Sequence, residues 1–392
     1  MATTRRLSHQ LAVLSQPAAA DALPAEMRAL IKDGDVVSIQ SVPLPELGAH
    51  DLLVRVEAAA LNPTDMANFG VMGEVQAGAI TAEGGSLSGG ISKPTSKPKG
   101  FGGEGCGVVV AVGADADPSW MGKRVAAWSL ITQGSYAEYY KVPAGWTVEL
   151  PDDISFIEAA APAINPITAL AMMDEAKMGG HTCLVHTAAA SQLGQMLVPL
   201  CKMEGITLIN VVRRQEQVDI LEAIGAEHVV NITEDSFRGD FGKLAAEHNA
   251  TLAFDAVGGD TTKAIMLGMP GGVGINVGGP NTRICVYGAL GGGDVVMPLA
   301  GQMLGLKHSV SVEGWNYAGW MATIGDARRY AAQATAASML GANGALKTTF
   351  GKQCGLEDLV EPESLEYYSK IGTNAKVVVL PQLGGLTEEK KS

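Results

Sequence analysis

Between His181 and Arg214 the chain reads HTCLVHTAAASQLGQMLVPLCKMEGITLINVVRR. Thr182 to His186 is a short apolar run of strand length, Gln192 to Glu204 places apolar residues at helical spacing, and Thr207 to Val212 is a second β-branched run. Ala188, Ala189, Ala190, Ser191 and Gly194 fill the turn between strand and helix with small side chains, so a ligand can come close to the backbone. Strand, turn, helix, strand in this order is a βαβ unit, and the unpaired N–H groups at its helix N-terminus meet a pyrophosphate in dinucleotide-binding sheets. The turn holds no GxGxxG, so ordinary core α/β structure is the alternative reading of this stretch taken alone. Arg213 and Arg214 close the second strand, where an NAD enzyme usually presents an acid to the ribose 2′-hydroxyl. Guanidinium groups there suit a 2′-phosphate, and the expected cofactor is therefore NADPH; a solvated charge pair is the plainer alternative.

Composition limits the partners. A chain of 392 residues exceeds what one hydrophobic core commonly holds, so about two domains are expected, and 47% hydrophobic residues suffice to fill them. The formal net charge of −13 excludes a nucleic acid or anionic membrane as the general partner, because a phosphate-binding surface needs a positive field. Cys106, Cys183, Cys201, Cys285 and Cys354 are odd in number and far apart, which reads as reduced core cysteines. No apolar run reaches the roughly 18 residues of a spanning helix. The opening MATTRRLSHQLAVLSQPAAA lacks acids and carries Arg5 and Arg6, a trait of transit peptides, but its basic content is low. A cytoplasmic location is expected, with a mitochondrial one as the alternative.

Two textures follow one another. Arg28 to Lys32, Val36 to Ser41, Leu52 to Glu57, Gly105 to Val112, Arg124 to Trp128 and Ser135 to Val142 read as short strands of a β-rich unit, interrupted by a Gly/Ser/Lys loop from Gly70 to Lys99. After Leu150 apolar strands at Thr182 to His186, Thr207 to Val212, Leu252 to Val257 and Ile284 to Tyr287 alternate with helices. These helices are Pro166 to Ala176, Gln192 to Glu204, Gln215 to Ile224 and Thr261 to Leu267, after a helical opening at Phe156 to Ala160. Such alternation predicts a doubly wound parallel sheet. One longer helix from Ala318 to Leu340 closes it, and helical Ser364 to Lys370 and strand Lys376 to Leu380 return to the first unit. The glycine-rich Gly268 to Pro280 follows a helix and lacks a Gly-Lys-Ser/Thr ending, so it reads as a connector rather than a P-loop.

Six segments in order then carry a resemblance: LNPTDM (Leu61 to Met66), GGEGCGVVVAVG (Gly102 to Gly113), GKRVAAW (Gly122 to Trp128), GSYAEY (Gly134 to Tyr139), NPITAL (Asn165 to Leu170) and IGAEHVVN (Ile224 to Asn231). The chain resembles the medium-chain dehydrogenase/reductase superfamily from Met27 onward. The resemblance implies a GroES-like β-rich catalytic domain, residues 1–155 and 345–392, and a Rossmann doubly wound parallel-sheet domain, residues 156–344. It also implies the zinc-free branch, because Asn62, Gly102 or Gly103, and Ile164 occupy the places of the zinc branch's ligands. Without a Lewis acid to hold an alkoxide, reduction of a quinone or an activated double bond is favoured over alcohol oxidation.

Position by position, the resemblance implies Asn165 and Thr168 beside the nicotinamide and Ser191, Gln192, Leu193 and Gly194 at the pyrophosphate. Arg213 and Arg214 fall at the 2′-phosphate. Tyr287, Gly288 and Ala289 line the cofactor after a later strand, with Trp315 and Asn316 beyond them and Lys376 approaching from the last segment. Asn62, Asn165 and Thr168 are the expected catalytic group, and no metal is expected. The 2-enoyl-thioester reductases, which INVVRR also resembles, carry a tyrosine soon after the NPxD segment as their proposed proton donor; from Asp65 to Lys99 this chain has none. Asn62, Tyr136, Tyr317 and water are left as proton donors, with Glu104 as a relay. The expected activity is NADPH-dependent reduction of a quinone or α,β-unsaturated carbonyl compound by a homodimer. The alternatives are a 2-enoyl-CoA or acyl-carrier-protein thioester reductase and a non-catalytic NADPH-binding protein.

Overall fold

In the computed structural model, residues 23–33, 36–62, 65, 99–128, 134–270, 282–291, 310–341, 343–359, 361 and 375–383 are described. The expected loop from Gly70 to Lys99, apart from Lys99 itself, most of the glycine-rich connector, the helix at Ser364 to Lys370 and the first 22 residues lie outside them.

The first half forms strands β1 (Glu26–Asp33), β2 (Val36–Pro43), β3 (Asp51–Ala60), β4 (Lys99–Gly100), β5 (Glu104–Val112), β6 (Arg124–Trp128), β7 (Tyr139–Pro143) and β8 (Thr147–Glu149). β3 is apolar along nearly its whole length because it is paired on both sides, with β5 and β7, and covered by core. β5 bends where its register against β3 shifts, and there Gly107 is required: a Cβ would lie 1.9 Å from the Arg55 carbonyl oxygen.

From Ile164 onward, helices α1 (Ile164–Met178), α2 (Gln192–Glu204), α3 (Gln215–Ala223), α4 (Phe237–Glu247) and α5 (Gly259–Gly268) alternate with β9 (Cys183–Thr187), β10 (Thr207–Val212), β11 (His228–Asn231), β12 (Leu252–Asp255), β13 (Thr282–Val286) and β14 (Val310–Gly314). The six strands make one sheet in the order β11-β10-β9-β12-β13-β14, every pair parallel. Alternate residues feed opposite cores: Leu184, Leu208 and Phe254 pack on one face, Cys183, Val185 and Ile209 on the other. Burial on both faces is why these strands read as unbroken apolar runs.

The single helix expected from Ala318 to Leu340 is two, α6 (Tyr317–Thr323) and α7 (Gly325–Ser338), broken at Gly325, whose φ of 70° lies outside the helical region. β11, α4 and β14 were not anticipated as elements. β11 and β14 are short and only half-buried, and α4 carries two glycines that lower helix propensity.

The chain ends with β15 (Phe350–Cys354), α8 (Leu356–Leu359) and β16 (Lys376–Val379). β16 pairs antiparallel with β3, so the last strand closes onto the first sheet. Arg28 fastens the return, bonding Glu138, Glu357 and the Pro381 carbonyl.

Candidate functional site

The turn after β9 is built for close approach. Ala188 takes a left-handed φ of 49°, and Ser191 caps α2 by accepting the Gly194 N–H at 3.2 Å. Gly194 has no substitute, since a Cβ there would lie 2.0 Å from the Ala189 carbonyl oxygen. The turn itself is held by residues the sequence reading missed. Thr187 Oγ1 donates to Asp255 Oδ1 at 2.6 Å, and the same buried carboxylate accepts Val257 N–H at 2.8 Å, Gly258 N–H at 3.2 Å and the Thr262 hydroxyl at 2.5 Å. Asp255 thereby locks the carboxyl ends of β9 and β12 together. Its signal in the sequence is an acid ending an apolar strand just before Gly258 and Gly259.

Arg213 and Arg214 follow directly on β10, whose Val211 pairs with Thr187 and whose Val211 carbonyl accepts the Ala189 N–H at 3.3 Å. Both arginines are exposed, and Arg214 Nε lies 3.8 Å from Glu216. A glycine-dependent turn, a capped helix N-terminus and two exposed guanidiniums at the adjacent strand end fit a phosphorylated dinucleotide.

On the far side of β12, the Tyr287 hydroxyl is 2.7 Å from His186 Nε2, and Trp315 stands edge-on to Tyr287 with ring centroids 6.4 Å apart. Gly288 and Ala289 are half-buried in the loop after β13, with Gly288 packed against Ala256 so closely that a Cβ would lie 2.7 Å from its carbonyl oxygen. Asn316 is exposed, and its side chain caps α6 through Gly319 N–H at 2.8 Å. Leu193 is buried in the core, while Gln192 Oε1 accepts the Thr349 N–H at 2.6 Å and joins α2 to the returning chain.

The remaining site residues meet in one buried polar cluster. Lys376 Nζ donates to Asn62 Oδ1 at 2.5 Å, and Asn62 Nδ2 donates to Glu104 Oε1 at 2.9 Å. Glu104 Oε2 accepts the backbone N–H groups of Ala163 at 2.9 Å and Ile164 at 2.8 Å. These are first-turn donors of α1, which has no cap from its own N-cap residue. A carboxylate from another sheet therefore caps the helix that carries Asn165 and Thr168. Asp65 accepts Asn62 N–H at 2.9 Å and the Tyr136 hydroxyl at 2.7 Å; burial pushes its pKa up to about 6, with those two donors pulling the other way. Burial lowers the pKa of Lys376, against the raising effect of Glu104 and Asp65. Lys376 thus faces Asn62, inside the protein, and both ends of the Asn62 amide are occupied. Asn165 is half-buried at the start of α1, and Thr168 Oγ1 bonds back to the Ile164 carbonyl at 2.5 Å. Tyr317, half-buried at the start of α6 with its ring centroid 5.8 Å from that of Trp128, lies in the field of Glu104 and Asp65, and burial keeps its hydroxyl protonated.

Zinc does not fit these side chains. The ligand places hold Asn62, whose amide is fully bonded, together with Gly102 or Gly103 and Ile164, and among the described residues no cluster of three His, Cys, Asp or Glu side chains could hold a metal ion. Burial pushes the thiols of Cys183, Cys201, Cys285 and Cys354 up to about 12 and that of Cys106 well above its ordinary value, so none is a ready thiolate.

Comparison with known proteins agrees with this architecture. Residues 48–152 match the alcohol dehydrogenase GroES-like domain and residues 193–301 the zinc-binding dehydrogenase domain. The chain is 27% identical over 280 residues to mitochondrial enoyl-[acyl-carrier-protein] reductase of Bos taurus, covering 66% of this chain and 68% of that one. It is 30% identical over 166 residues to quinone oxidoreductase of Pseudomonas aeruginosa, covering 42% of this chain and half of that relative. A solved structure from Mesorhizobium loti, described as a candidate NADPH:quinone reductase, superposes with a TM-score of 0.73 at 28% identity, over 92% of this chain and 100% of that one. With these paired domains in order, non-ligating residues at the zinc branch's ligand places and this fold, the chain belongs to the medium-chain dehydrogenase/reductase superfamily, in its zinc-free, quinone-oxidoreductase-like branch.

Proposed function

We propose that the protein is a zinc-independent, NADPH-dependent oxidoreductase that reduces a quinone or the activated double bond of an α,β-unsaturated carbonyl compound. The observation that carries this reading is the placement of Arg213 and Arg214 at the end of β10, next to the tight turn that opens α2. The Mesorhizobium loti and Pseudomonas aeruginosa relatives are named for quinone reduction, and this supports the choice of acceptor.

NADPH supplies the hydride from its reduced nicotinamide. This chain's residues do the rest. Ser191, Gln192, Leu193 and Gly194 form the turn that holds the pyrophosphate, with the N–H groups of Gln192 and Leu193 and the α2 dipole directed to it, and the two arginines take the 2′-phosphate. Asn165 and Thr168 face the nicotinamide from the first turn of α1, and Glu104 fixes that turn. Tyr287, Gly288 and Ala289 line the nucleotide, with Trp315 behind them. When the substrate's carbonyl oxygen gains charge, it needs a hydrogen-bond donor and then a proton. Asn62 and Tyr136 have their donors committed inside the protein, so Tyr317 is assigned as the hydrogen-bond donor to that oxygen, and water supplies the proton.

The chain divides in this reading into a GroES-like catalytic domain, residues 1–155 and 345–392, and a Rossmann domain, residues 156–344. It acts as a homodimer in the cytoplasm, and the exposed edge strand β14 supports a partner. Among the described residues no helix is long and apolar enough to cross a membrane.

Reduction of a 2-enoyl thioester is the second reading, favoured by likeness to the bovine enoyl-[acyl-carrier-protein] reductase. The lack of any tyrosine from Asp65 to Lys99 weighs against it. Oxidation of NADPH is followed with 1,4-benzoquinone, a simple enone and crotonyl-CoA. Turnover with the first two and none with the thioester is expected; the reverse pattern selects the second reading, and tight NADPH binding without turnover on any of them overturns both.

A further inference from the structure

His186 and Asn210 are register partners on the central strands β9 and β10, and both side chains emerge on the face that carries Leu184, Leu208 and Phe254. They are 0% and 1% exposed. Polar groups this deep keep partners, because an unpaired one forfeits its hydration. Yet His186 Nδ1 and Asn210 Oδ1 have none, and they are neighbours. Their other atoms are committed: His186 Nε2 to the Tyr287 hydroxyl at 2.7 Å and Asn210 Nδ2 to the His228 carbonyl at 3.1 Å. A carbonyl only accepts, so the Asn210 amide cannot be turned the other way, and Oδ1 must face away from His228.

We propose that one buried water molecule is bound between His186 Nδ1 and Asn210 Oδ1, completing a hydrogen-bonded chain that runs across the sheet from Tyr287 to the His228 carbonyl. Parallel strands lie about 4.8 Å apart and the two registered tips make no direct bond, so a single water can bridge them. Among the described residues the Tyr287 hydroxyl has no acceptor other than His186 Nε2, and this sets the direction of the chain. Tyr287 O–H donates to His186 Nε2, His186 Nδ1–H donates to the water, the water donates to Asn210 Oδ1, and Asn210 Nδ2–H donates to His228 O. Every donor points the same way. This fixes the neutral imidazole as the Nδ1–H tautomer, in keeping with the lowering of its pKa to about 3 by burial. It also turns the oxygen of Tyr287 into a pure acceptor toward any ligand at the carboxyl edge of the sheet. Given the nucleotide reading above, the matching ligand group is a donor such as an amide N–H or a ribose hydroxyl.

Two measurements on the full chain test this without any assay of turnover. Nitrogen-15 NMR of the histidine side chains, with His186 identified by its loss in His186→Gln, is expected to show a protonated Nδ1 and an unprotonated Nε2 that do not titrate between pH 5 and 8 (about the unperturbed range). It is also expected to show a magnetisation transfer from Nδ1–H to water. An Nε2–H tautomer, or no contact with water, overturns the proposal. The second measurement is a cycle of His186→Phe, Asn210→Leu and the pair. Each single change strands a polar partner, so the thermal midpoint is expected to fall by a few degrees in each and by clearly less than the sum in the double variant. Additive losses overturn the shared water. Because neither readout uses NADPH or a substrate, failure here leaves the proposed activity standing, and absence of activity leaves this water site standing.

Discussion

Arg213 and Arg214 illustrate how much a single residue type decides. They are exposed and hold no fold together, so their replacement leaves stability near its original level. Arg213→Ala with Arg214→Ala is expected to weaken NADPH by about 1.5–3 kcal/mol per lost charged hydrogen bond and to leave NADH nearly unchanged. Titration calorimetry with both nucleotides checks this, and equal losses would remove the phosphate assignment. Tyr317→Phe is expected to cut the turnover number by roughly 10²- to 10³-fold while the NADPH Kd stays put; an unchanged rate would show that Tyr317 does not touch the reacting oxygen. Asp65 and His186 give opposite pH signatures. The folded pKa of Asp65 is raised to about 6, so its contribution to stability is full below its ordinary pKa of 3.8 and is lost as pH rises through 6. The folded pKa of His186 is lowered to about 3, so its contribution is full above 6.5 and is lost as pH falls toward 3. The two partly cancel in the native protein. Urea midpoints of Asp65→Asn measured across pH 4 to 7 should therefore become more steeply dependent on pH in the rising direction than those of the parent, and an unchanged slope would mean that Asp65 keeps an ordinary pKa.

At the scale of elements, α1 is the instructive case. Ala163 offers no cap, so a reader of the sequence would expect a frayed start, yet Glu104 from β5 accepts two of the first-turn N–H groups. Glu104→Gln keeps the size but brings an NH2 that cannot accept; it must either leave the helix donors unmet or turn its amide against Asn62. The expected result is a loss of about 1–3 kcal/mol in urea unfolding, together with a fall in kcat/KM that exceeds any change in NADPH affinity. Parent-like kcat/KM would show that the cap serves the helix alone. The break between α6 and α7 teaches a different lesson. Gly325 stands among alanines and arginines that favour a helix, and its left-handed φ of 70° is seen only in the folded backbone.

Across the whole molecule, the parallel sheet and the antiparallel sheets were legible for one reason: strands buried on both faces must be apolar throughout, and half-buried ones alternate. The site was less legible. Asn62, Asp65, Glu104, Tyr136 and Lys376 are separated by as many as 314 positions, and only Asn62 and Asp65 are near one another in the chain. Nothing in their spacing says that they touch. Only the pairing of β16 with β3 carries Lys376 to Asn62. The cluster also bears on metal content. Elemental analysis of the purified protein is expected to find no stoichiometric zinc, and chelators should leave the rate unaltered; one zinc per chain would require Asn62 and its neighbours to be rearranged.

Local composition by itself determined the βαβ unit, the small-residue turn and the basic end of β10, because each depends on residues close in sequence whose side-chain size, periodicity or charge acts within one or two turns of chain. Tertiary structure alone decided which buried polar groups satisfy one another: Glu104 with α1, Lys376 with Asn62, Thr187 with Asp255, His186 with Tyr287. Desolvation makes such partners obligatory, but register and crossover choose them, and those are properties of the folded sheet rather than of any one segment.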